Sequence, residues 1–298
     1  MIKQNLENIF RKLPSGVTLV AVSKFHPVSA IQEAYEAGQR VFGENRPQEL
    51  AAKVPLLPAD IQWHFIGHLQ TNKLKLVLPY VTLVQSVDSL HLLEAIQAWA
   101  ETNHRLIDVL LELHLGAEET KHGFTEDEIL QLVCGEGMLG FMRSSERPTE
   151  AVSDEGGLIG RELQGDNRGA EPTSNTGRGR RQVPSASPSP QTSSGANEDP
   201  DAPGAAKNLS PSAYHVPFAP GYGVRIRGLM GMATNTEDVR VIEKDFERIE
   251  RLFHLIQAMG LPDFDQLSIG MSGDWPLAVK HGATMVRIGT DIFGEREY

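Results

Sequence analysis

The chain has 298 residues, of which 40% are hydrophobic and 22% charged, and its formal net charge is -11. This acidic balance argues against a general nucleic-acid binder, which needs clustered Lys and Arg, and the lone Cys134 argues against a disulfide scaffold or a cysteine-built zinc site. The first residues carry charges where a signal peptide has its apolar stretch, and no apolar run approaches the roughly 18 residues that cross a bilayer. We therefore expect a soluble, cytoplasmic protein.

Short apolar segments alternate with helical patterns along most of the chain. Several of these segments are apolar at nearly every position, as are parallel strands that helices cover. Eight strand–helix repeats predict an α/β fold, a (β/α)8 barrel of the TIM type. In chain order, the predicted strands are 17–23, 40–45, 62–67, 81–87, 106–114, 224–230, 266–271 and 284–290.

Two of the intervening helices have clear sequence signals. The first begins at Ser29, with Gln32 as a possible capping partner, and stops at Gly38. The second runs from Glu237 to Gly260, and its apolar residues recur three or four positions apart. Both patterns predict helices that pack one face against the sheet.

One segment differs from the rest in composition. Residues from about Arg143 to Tyr222 are rich in Pro, Gly and Ser and contain few large apolar side chains. Such a stretch cannot bury enough apolar surface to offset the entropy lost on ordering. We therefore predict one barrel domain, residues 1–142 and 223–298, with a low-complexity, disordered insertion at 143–222 between the fifth helix of the repeat and the sixth strand.

The functional residues of such a barrel lie at the C-terminal ends of its strands. Lys24 follows the first predicted strand and is therefore placed at that end. A lysine there can form a Schiff base with an aldehyde when desolvation or a neighbouring cation lowers its pKa. The alternative is a strand-end lysine that extends its ammonium group into solvent.

Two neighbouring strand ends have the features of an anion site. The seventh strand is followed by Ser272 and Gly273 and then by a helix, and the eighth runs from Arg287 into Gly289 and Thr290. Glycines let the backbone approach an anion, and hydroxyls and helix N-terminal N–H groups donate to it. Because the loops after strands seven and eight commonly bind phosphate in this fold, we predict a phosphate site facing the strand-end lysine.

Seven blocks of sequence resemble, in order and spacing, the YggS/PROSC family of pyridoxal-phosphate-binding proteins. The barrel of this family is related to the N-terminal barrel of alanine racemase. The resemblance covers about residues 1–142 and 223–298, and it implies that the cofactor is pyridoxal 5′-phosphate (PLP). The blocks are AVSKFHP, FGENRPQEL, WHFIGHLQTNK, KHGF, RGLMGM, LSIGMSGD and MVRIGTDIFGER.

The site residues of the family can be transferred to matching positions of this chain. The resemblance implies that Lys24 forms the Schiff base with PLP and that Arg287 faces the pyridine nitrogen. Because a guanidinium cannot accept a proton, this arginine is expected to keep the nitrogen unprotonated and to weaken PLP as an electron sink. The further cofactor-binding residues that the resemblance implies are Ser272, Gly273, Gly289 and Thr290 at the phosphate and Asn45 and Met230 at the mouth of the site.

The implied function is control of the PLP pool, in which the protein holds and delivers a reactive aldehyde without defined catalytic turnover. The expected partners are PLP and either PLP-dependent apo-enzymes or amino acids, with no nucleic acid and no membrane, and we expect a monomer. The alternative is an amino-acid racemase or related isomerase, although the sequence leaves no room after the barrel for the β-domain that supplies a catalytic tyrosine in alanine racemases. A third interpretation makes the insertion a partner-binding segment on a barrel scaffold.

Two histidines and the cysteine have simpler interpretations. His64 and His68 are four residues apart, but they flank a strand end instead of sharing a helix face. We therefore predict polar packing or ring contacts near the cofactor and no metal site. Cys134 is predicted to be a small packed hydrophobic residue.

Overall fold

The computed structural model describes residues 1–116, 122–134 and 221–295, and within them eight parallel strands form a closed barrel. Each strand pairs with the next along the chain, and the last pairs with the first, with Thr18 opposite Met285. The predicted (β/α)8 barrel is confirmed. The strands are β1 (Thr18–Val22), β2 (Val41–Glu44), β3 (Gln62–Phe65), β4 (Val81–Val87), β5 (Leu106–Leu113), β6 (Gly223–Gly231), β7 (Gln266–Ser268) and β8 (Met285–Ile288).

An α-helix follows every strand in the described part of the chain, and a further helix precedes the first strand. The sequence signals above do not predict that first helix, which buries Ile2, Leu6 and Ile9. The helices are α1 (Ile2–Lys12), α2 (Val28–Glu36), α3 (Pro47–Lys53), α4 (Leu74–Val77), α5 (Leu90–Thr102), α6 (Glu126–Cys134), α7 (Val239–Ala258), α8 (Trp275–Lys280) and α9 (Thr290–Phe293).

The two helices with sequence signals form close to the predicted positions. In α7, the side chain of Asp238 accepts a hydrogen bond from the Arg240 N–H and caps the first turn. The predicted cap of α2 is wrong, because α2 begins after Pro27 without a side-chain cap. Gln32 instead donates to Glu36, one turn further along.

Two groups of apolar side chains stabilise the barrel and its surrounding helices. The smaller group must lie inside the barrel, because its members come from β1, β4, β5, β6 and β8. The larger group lies between the strands and the surrounding helices. Full burial of each aliphatic side chain contributes about 1.5–3 kcal/mol. The inner group consists of Val20, Leu83, Leu110, Met230 and Met285.

β5 and β6 pair along their whole length, from Leu106 opposite Gly223 to Leu113 opposite Gly231. Residues 135–220, which include nearly all of the predicted insertion, lie outside the described residues, as does the side chain of Cys134. The domain boundaries and the disorder of the insertion therefore stay predictions. Among the described residues, no helix combines the length and the apolar character needed to span a membrane.

Candidate functional site

The C-terminal ends of β7 and β8 lie side by side, because the Arg287 N–H donates to the carbonyl of Gly270 at 2.9 Å. Gly270 has a φ of +94°, and a Cβ there would lie 2.6 Å from the Cβ of Ala278. Only glycine fits this turn without strain. The turn brings Ser272 into the loop before α8, beside the end of β8.

The predicted phosphate residues carry hydrogen-bond donors that the described chain does not use. Neither the Ser272 nor the Thr290 hydroxyl bonds to another described residue. Gly273 is exposed, with open space where a Cβ would point, whereas a Cβ at Gly289 would lie 3.2 Å from the carbonyl oxygen of Val22. Small residues and unused hydroxyls thus form the rim of the barrel at this point.

Lys24 follows the strand that pairs with β8. Ala21 is opposite Ile288, so Lys24, three positions later, lies at the same edge of the barrel and is partly exposed. The next residue, Phe25, has a φ of +68°, a left-handed conformation that is unfavourable for a bulky side chain. Its N–H donates to Glu49 Oε1 at 2.7 Å, and this bond helps to hold the loop in that conformation.

A buried ionic network lies behind the Lys24 loop. Lys53 Nζ donates to Glu44 Oε1 at 2.7 Å, to Glu49 Oε1 at 2.6 Å and to the Ser23 carbonyl at 2.9 Å. Burial raises the pKa of Glu44, and the Lys53 charge opposes that rise. Ser23 Oγ donates to the same Glu44 oxygen at 2.6 Å. We call these four residues the Lys53 network; it bonds to the backbone on both sides of Lys24 and so fixes the point from which that side chain projects.

Asn45 follows this network at the end of β2. Its Oδ1 is buried and has no hydrogen-bond partner among the described residues. Gly67, at the end of the neighbouring strand, approaches so closely that a Cβ there would lie 2.4 Å from the Asn45 carbonyl oxygen. Because an unpaired buried amide oxygen costs about 1–3 kcal/mol, this position favours a bound molecule that brings a donor.

A chain of buried polar side chains crosses the interior of the barrel. Arg287 Nη1 donates to Ser268 Oγ at 2.6 Å, and Ser268 Oγ donates to Gln85 Oε1 at 2.7 Å. Gln85 Nε2 in turn lies 2.9 Å from His64 Nδ1. Arg287 also donates through Nη2 to the Gly231 carbonyl at 2.9 Å. We call this the interior chain; it connects β8, β7, β4 and β3.

Burial determines the charges along the interior chain. It lowers the pKa of His64 to about 4, so the ring is neutral at pH 7 and its Nδ1 accepts from Gln85. Burial lowers the pKa of Arg287 to about 10, against the influence of Glu112 and Asp274, so the guanidinium stays charged. Of its five N–H groups, three donate to Ser268 and Gly231, which leaves two for a ligand.

Glu112 is a further buried titratable residue near Arg287, and it is not among the site residues predicted from the sequence. It lies on β5, opposite Met230 of β6. Burial, reinforced by the charge of Asp88, raises the pKa of Glu112 to about 7, and the charge of Arg287 opposes the rise. The available signal was an acidic residue directly after the apolar run Val109–Leu111 of β5.

Replacement of Glu112 with glutamine is expected to stabilise the barrel by about 3 kcal/mol at pH 8 and by less than about 1 kcal/mol at pH 5. The carboxyl has a pKa of about 7 in the folded chain against an ordinary value of 4.5, so wild-type stability falls as the pH rises between these values. Urea unfolding at both pH values measures the effect. Glu94→Gln, on the exposed face of α5, is the control, and an equal change at both pH values would contradict the prediction.

The two histidines that were considered together, His64 and His68, lie in different surroundings. His64 belongs to the interior chain, whereas His68 is exposed and its Nδ1 lies 2.7 Å from Asp88 Oδ2. Met230, expected at the mouth, is only 1% exposed and packs in the inner apolar group. Its contact with a cofactor stays a prediction.

Comparison with known proteins places this barrel among relatives of similar length. Residues 1–135 match the family model for the N-terminal domain of alanine racemase. The chain is 28% identical to the pyridoxal phosphate homeostasis protein of Vibrio alginolyticus, over 100% of this chain and 98% of the relative. It is 29% identical to the protein of the same name from Schizosaccharomyces pombe, over 94% of this chain and 85% of the relative.

The chain is also similar to proteins whose structures have been solved. PipY from Synechococcus elongatus, solved without PLP and with PLP bound, is 27% identical, with TM-scores of 0.67 and 0.63 over 99% of this chain and 100% of PipY. An alanine racemase from Bartonella henselae with covalently bound pyridoxal phosphate is 12% identical, with a TM-score of 0.57 over 100% of this chain and 60% of the racemase. This second similarity concerns the fold alone.

Proposed function

We propose that the chain belongs to the family of pyridoxal phosphate homeostasis proteins, and from this premise that it binds PLP and takes part in control of the PLP pool. One observation carries the proposal. Lys24 follows the C-terminal end of β1, the strand that pairs with β8, and the end of β8 presents Gly289 and Thr290 as small and donor-bearing neighbours. The PLP-bound structure of the relative PipY supports the same conclusion.

The side chains at this rim fit the cofactor in three respects. The hydroxyls of Ser272 and Thr290 have no partner among the described residues, and open space lies beside Gly273. Arg287 keeps two N–H groups for the pyridine nitrogen. The buried Oδ1 of Asn45 accepts no hydrogen bond from the described chain, so a donor of the ligand can satisfy it. PLP, when bound, supplies an aldehyde that reacts with amines, and we propose that Lys24 provides the amine for a Schiff base.

We further propose that the protein has no defined catalytic turnover. Racemisation needs an acid and a base on opposite faces of the substrate carbon, and Lys24 can serve only one face. Tyr35 cannot serve the other face, because its hydroxyl bonds to Asp60 at 2.7 Å. This bond lies between the end of α2 and the start of β3, away from the rim that carries Lys24. Tyr80 precedes β4 and so lies at the opposite end of the barrel. Tyr298 lies outside the described residues.

Incubation of the PLP-loaded protein with L-alanine in deuterated water is expected to give no rapid formation of D-alanine. The charged Arg287 keeps the ring nitrogen unprotonated and so disfavours a stabilised carbanion. Chiral chromatography and mass spectrometry measure D-isomer and α-deuterium. Turnover of about 1–1000 per second that disappears in Lys24→Ala would overturn the proposal in favour of an isomerase.

The double substitution Ser272→Ala, Thr290→Val is expected to weaken PLP retention more than it alters the reactivity of bound PLP. Each hydroxyl that bonds to a charged phosphate contributes roughly 1.5–3 kcal/mol, or about ten- to a hundredfold in affinity. Loss of PLP absorbance during dialysis measures retention. Ser29→Ala, Thr102→Val removes two exposed helix hydroxyls as a control, and equal retention by both double variants would assign the phosphate to backbone donors alone.

The expected localisation, oligomeric state and partners follow from the same premise. We propose a cytoplasmic monomer that passes PLP to PLP-dependent apo-enzymes and has no nucleic-acid partner, since the net charge of -11 opposes binding to phosphate backbones. Light scattering of the purified chain tests the monomer. Transfer of PLP to an apo-enzyme, faster than its release into buffer, tests delivery.

A further inference from the structure

Three potential metal ligands meet on the arc of the barrel rim opposite Lys24. His68 follows β3, Asp88 follows β4, and His122 lies in the connection after β5. One ligand atom from each lies within 4.8 Å of the other two. The His68 and His122 rings stack with centroids 4.2 Å apart and planes 18° from parallel. In a closed eight-stranded barrel β4 is diametrically opposite β8, so this cluster is separate from the proposed phosphate residues.

Hydrogen bonds to the backbone lie close to two of the three ligands. Ser86 Oγ donates at 2.5 Å to the carbonyl of Gly67, the residue before His68. The backbone of Phe124, two residues after His122, bonds to β5 through Glu112 O at 2.8 Å and through the His114 N–H at 2.9 Å. The backbone next to His68 and near His122 is therefore anchored, while both exposed imidazole rings can rotate about their side-chain bonds.

The electrostatics of the cluster favour a cation. The side chain of Asp88 is only 6% exposed, and its ion-pair partner among the described residues is His68, with no Lys or Arg beside it. Such a buried carboxylate is stabilised when a metal ion binds.

The donor set selects the kind of ion. Two imidazole nitrogens and one carboxylate oxygen suit first-row divalent ions such as Zn²⁺, whereas Mg²⁺ and Ca²⁺ prefer oxygen ligands alone. We propose that His68, Asp88 and His122 form a three-ligand site for such an ion, with the fourth position open to water. Ligand atoms about 2.0–2.2 Å from a tetrahedral ion lie roughly 3.5 Å apart, so the observed separations of up to 4.8 Å close by rotation of the two exposed histidines.

Titration of untagged, PLP-loaded protein with ZnCl2 by calorimetry tests the site, after removal of metal with a chelator. We expect one Zn²⁺ per chain at pH 7.5. His122→Ala and His68→Gln should each weaken binding at least about tenfold, because each removes one of three ligands. His91→Ala removes an exposed histidine of α5 outside the cluster and should change nothing.

Two controls distinguish loss of the metal site from Zn²⁺ that binds PLP and from loss of folding. Zn²⁺ that binds PLP itself would remain in all three variants, and circular dichroism and urea unfolding establish that each variant folds. Replacement of Zn²⁺ with Co²⁺ adds a visible spectrum, whose intensity distinguishes a tetrahedral site with imidazole ligands from hydrated ion. Absence of one-equivalent binding in the wild type, or equal binding in the wild type and in both cluster variants, would overturn the proposal.

Discussion

Lys24→Ala is expected to abolish covalent attachment of PLP and to leave the barrel folded. The residue lies at the edge of the barrel, partly exposed, so its removal takes little apolar contact from the core. The proposed Schiff base needs an amine at the position that the Lys53 network holds, and the neighbouring Lys53 cannot supply it because its ammonium bonds to Glu44, Glu49 and Ser23.

Borohydride reduction followed by peptide mass spectrometry locates the attachment. The pyridoxyl group should appear on Lys24 in the wild type and on no lysine of the native variant. Lys73→Ala, in the short turn before α4, is a control lysine outside the site. Reduction that labels a different lysine in the native wild type would contradict the assignment.

Lys53→Met is expected to cost about 3–5 kcal/mol of folding stability, the range for a buried ion pair that loses one partner. The side chain of Lys53 is 8% exposed and that of Glu44 is fully buried. Methionine has a similar length but no charge, so Glu44 is left without a cation, and its Oε2 already lacks a partner among the described residues.

The loss of folding stability in Lys53→Met should depend on pH. Without Lys53 the folded-state pKa of Glu44 rises further above its unfolded value, so the loss of stability grows as the pH rises and shrinks as the pH falls and the carboxyl takes up a proton. Urea unfolding at pH 5 and pH 8 measures it. Lys280→Met, at the exposed end of α8, serves as the matched control, and a loss no larger than that of the control would show that the network does not hold a charged pair.

The barrel was predictable because its signals are local. Continuous apolar strands, separated by helices with one apolar face, leave few other arrangements, and the eight predicted segments all became strands. Helix α1 was missed because only Ile2, Leu6 and Ile9 mark its buried face among polar neighbours. The cap predicted at Ser29 is wrong because α2 begins at Val28, with Pro27 at the N-cap position, so Ser29 already lies in the first turn.

The polar interior was harder to predict, because strand register decides it. Gln85, Ser268 and Arg287 come from distant parts of the chain and meet only when their strands are aligned. Glu49 and Lys53 are visible in sequence as a helical pair four residues apart, a pattern that usually lies on a solvated surface. Only the fold, which brings Glu44 beneath them, makes this pair a buried one.

The strand pair that closes the barrel has a consequence for how the chain folds. β1 and β8 join residues as far apart as Thr18 and Met285, so closure is the most non-local pairing and the slowest kind to form. On the ribosome it must wait until β8 has been synthesised. Because the proposed ligand contacts Lys24 beside β1 and Thr290 beside β8, only a chain that has been synthesised through Thr290 can hold it. Bound ligand then stabilises the closed barrel by mass action, so the free energy of unfolding is expected to rise with the concentration of PLP.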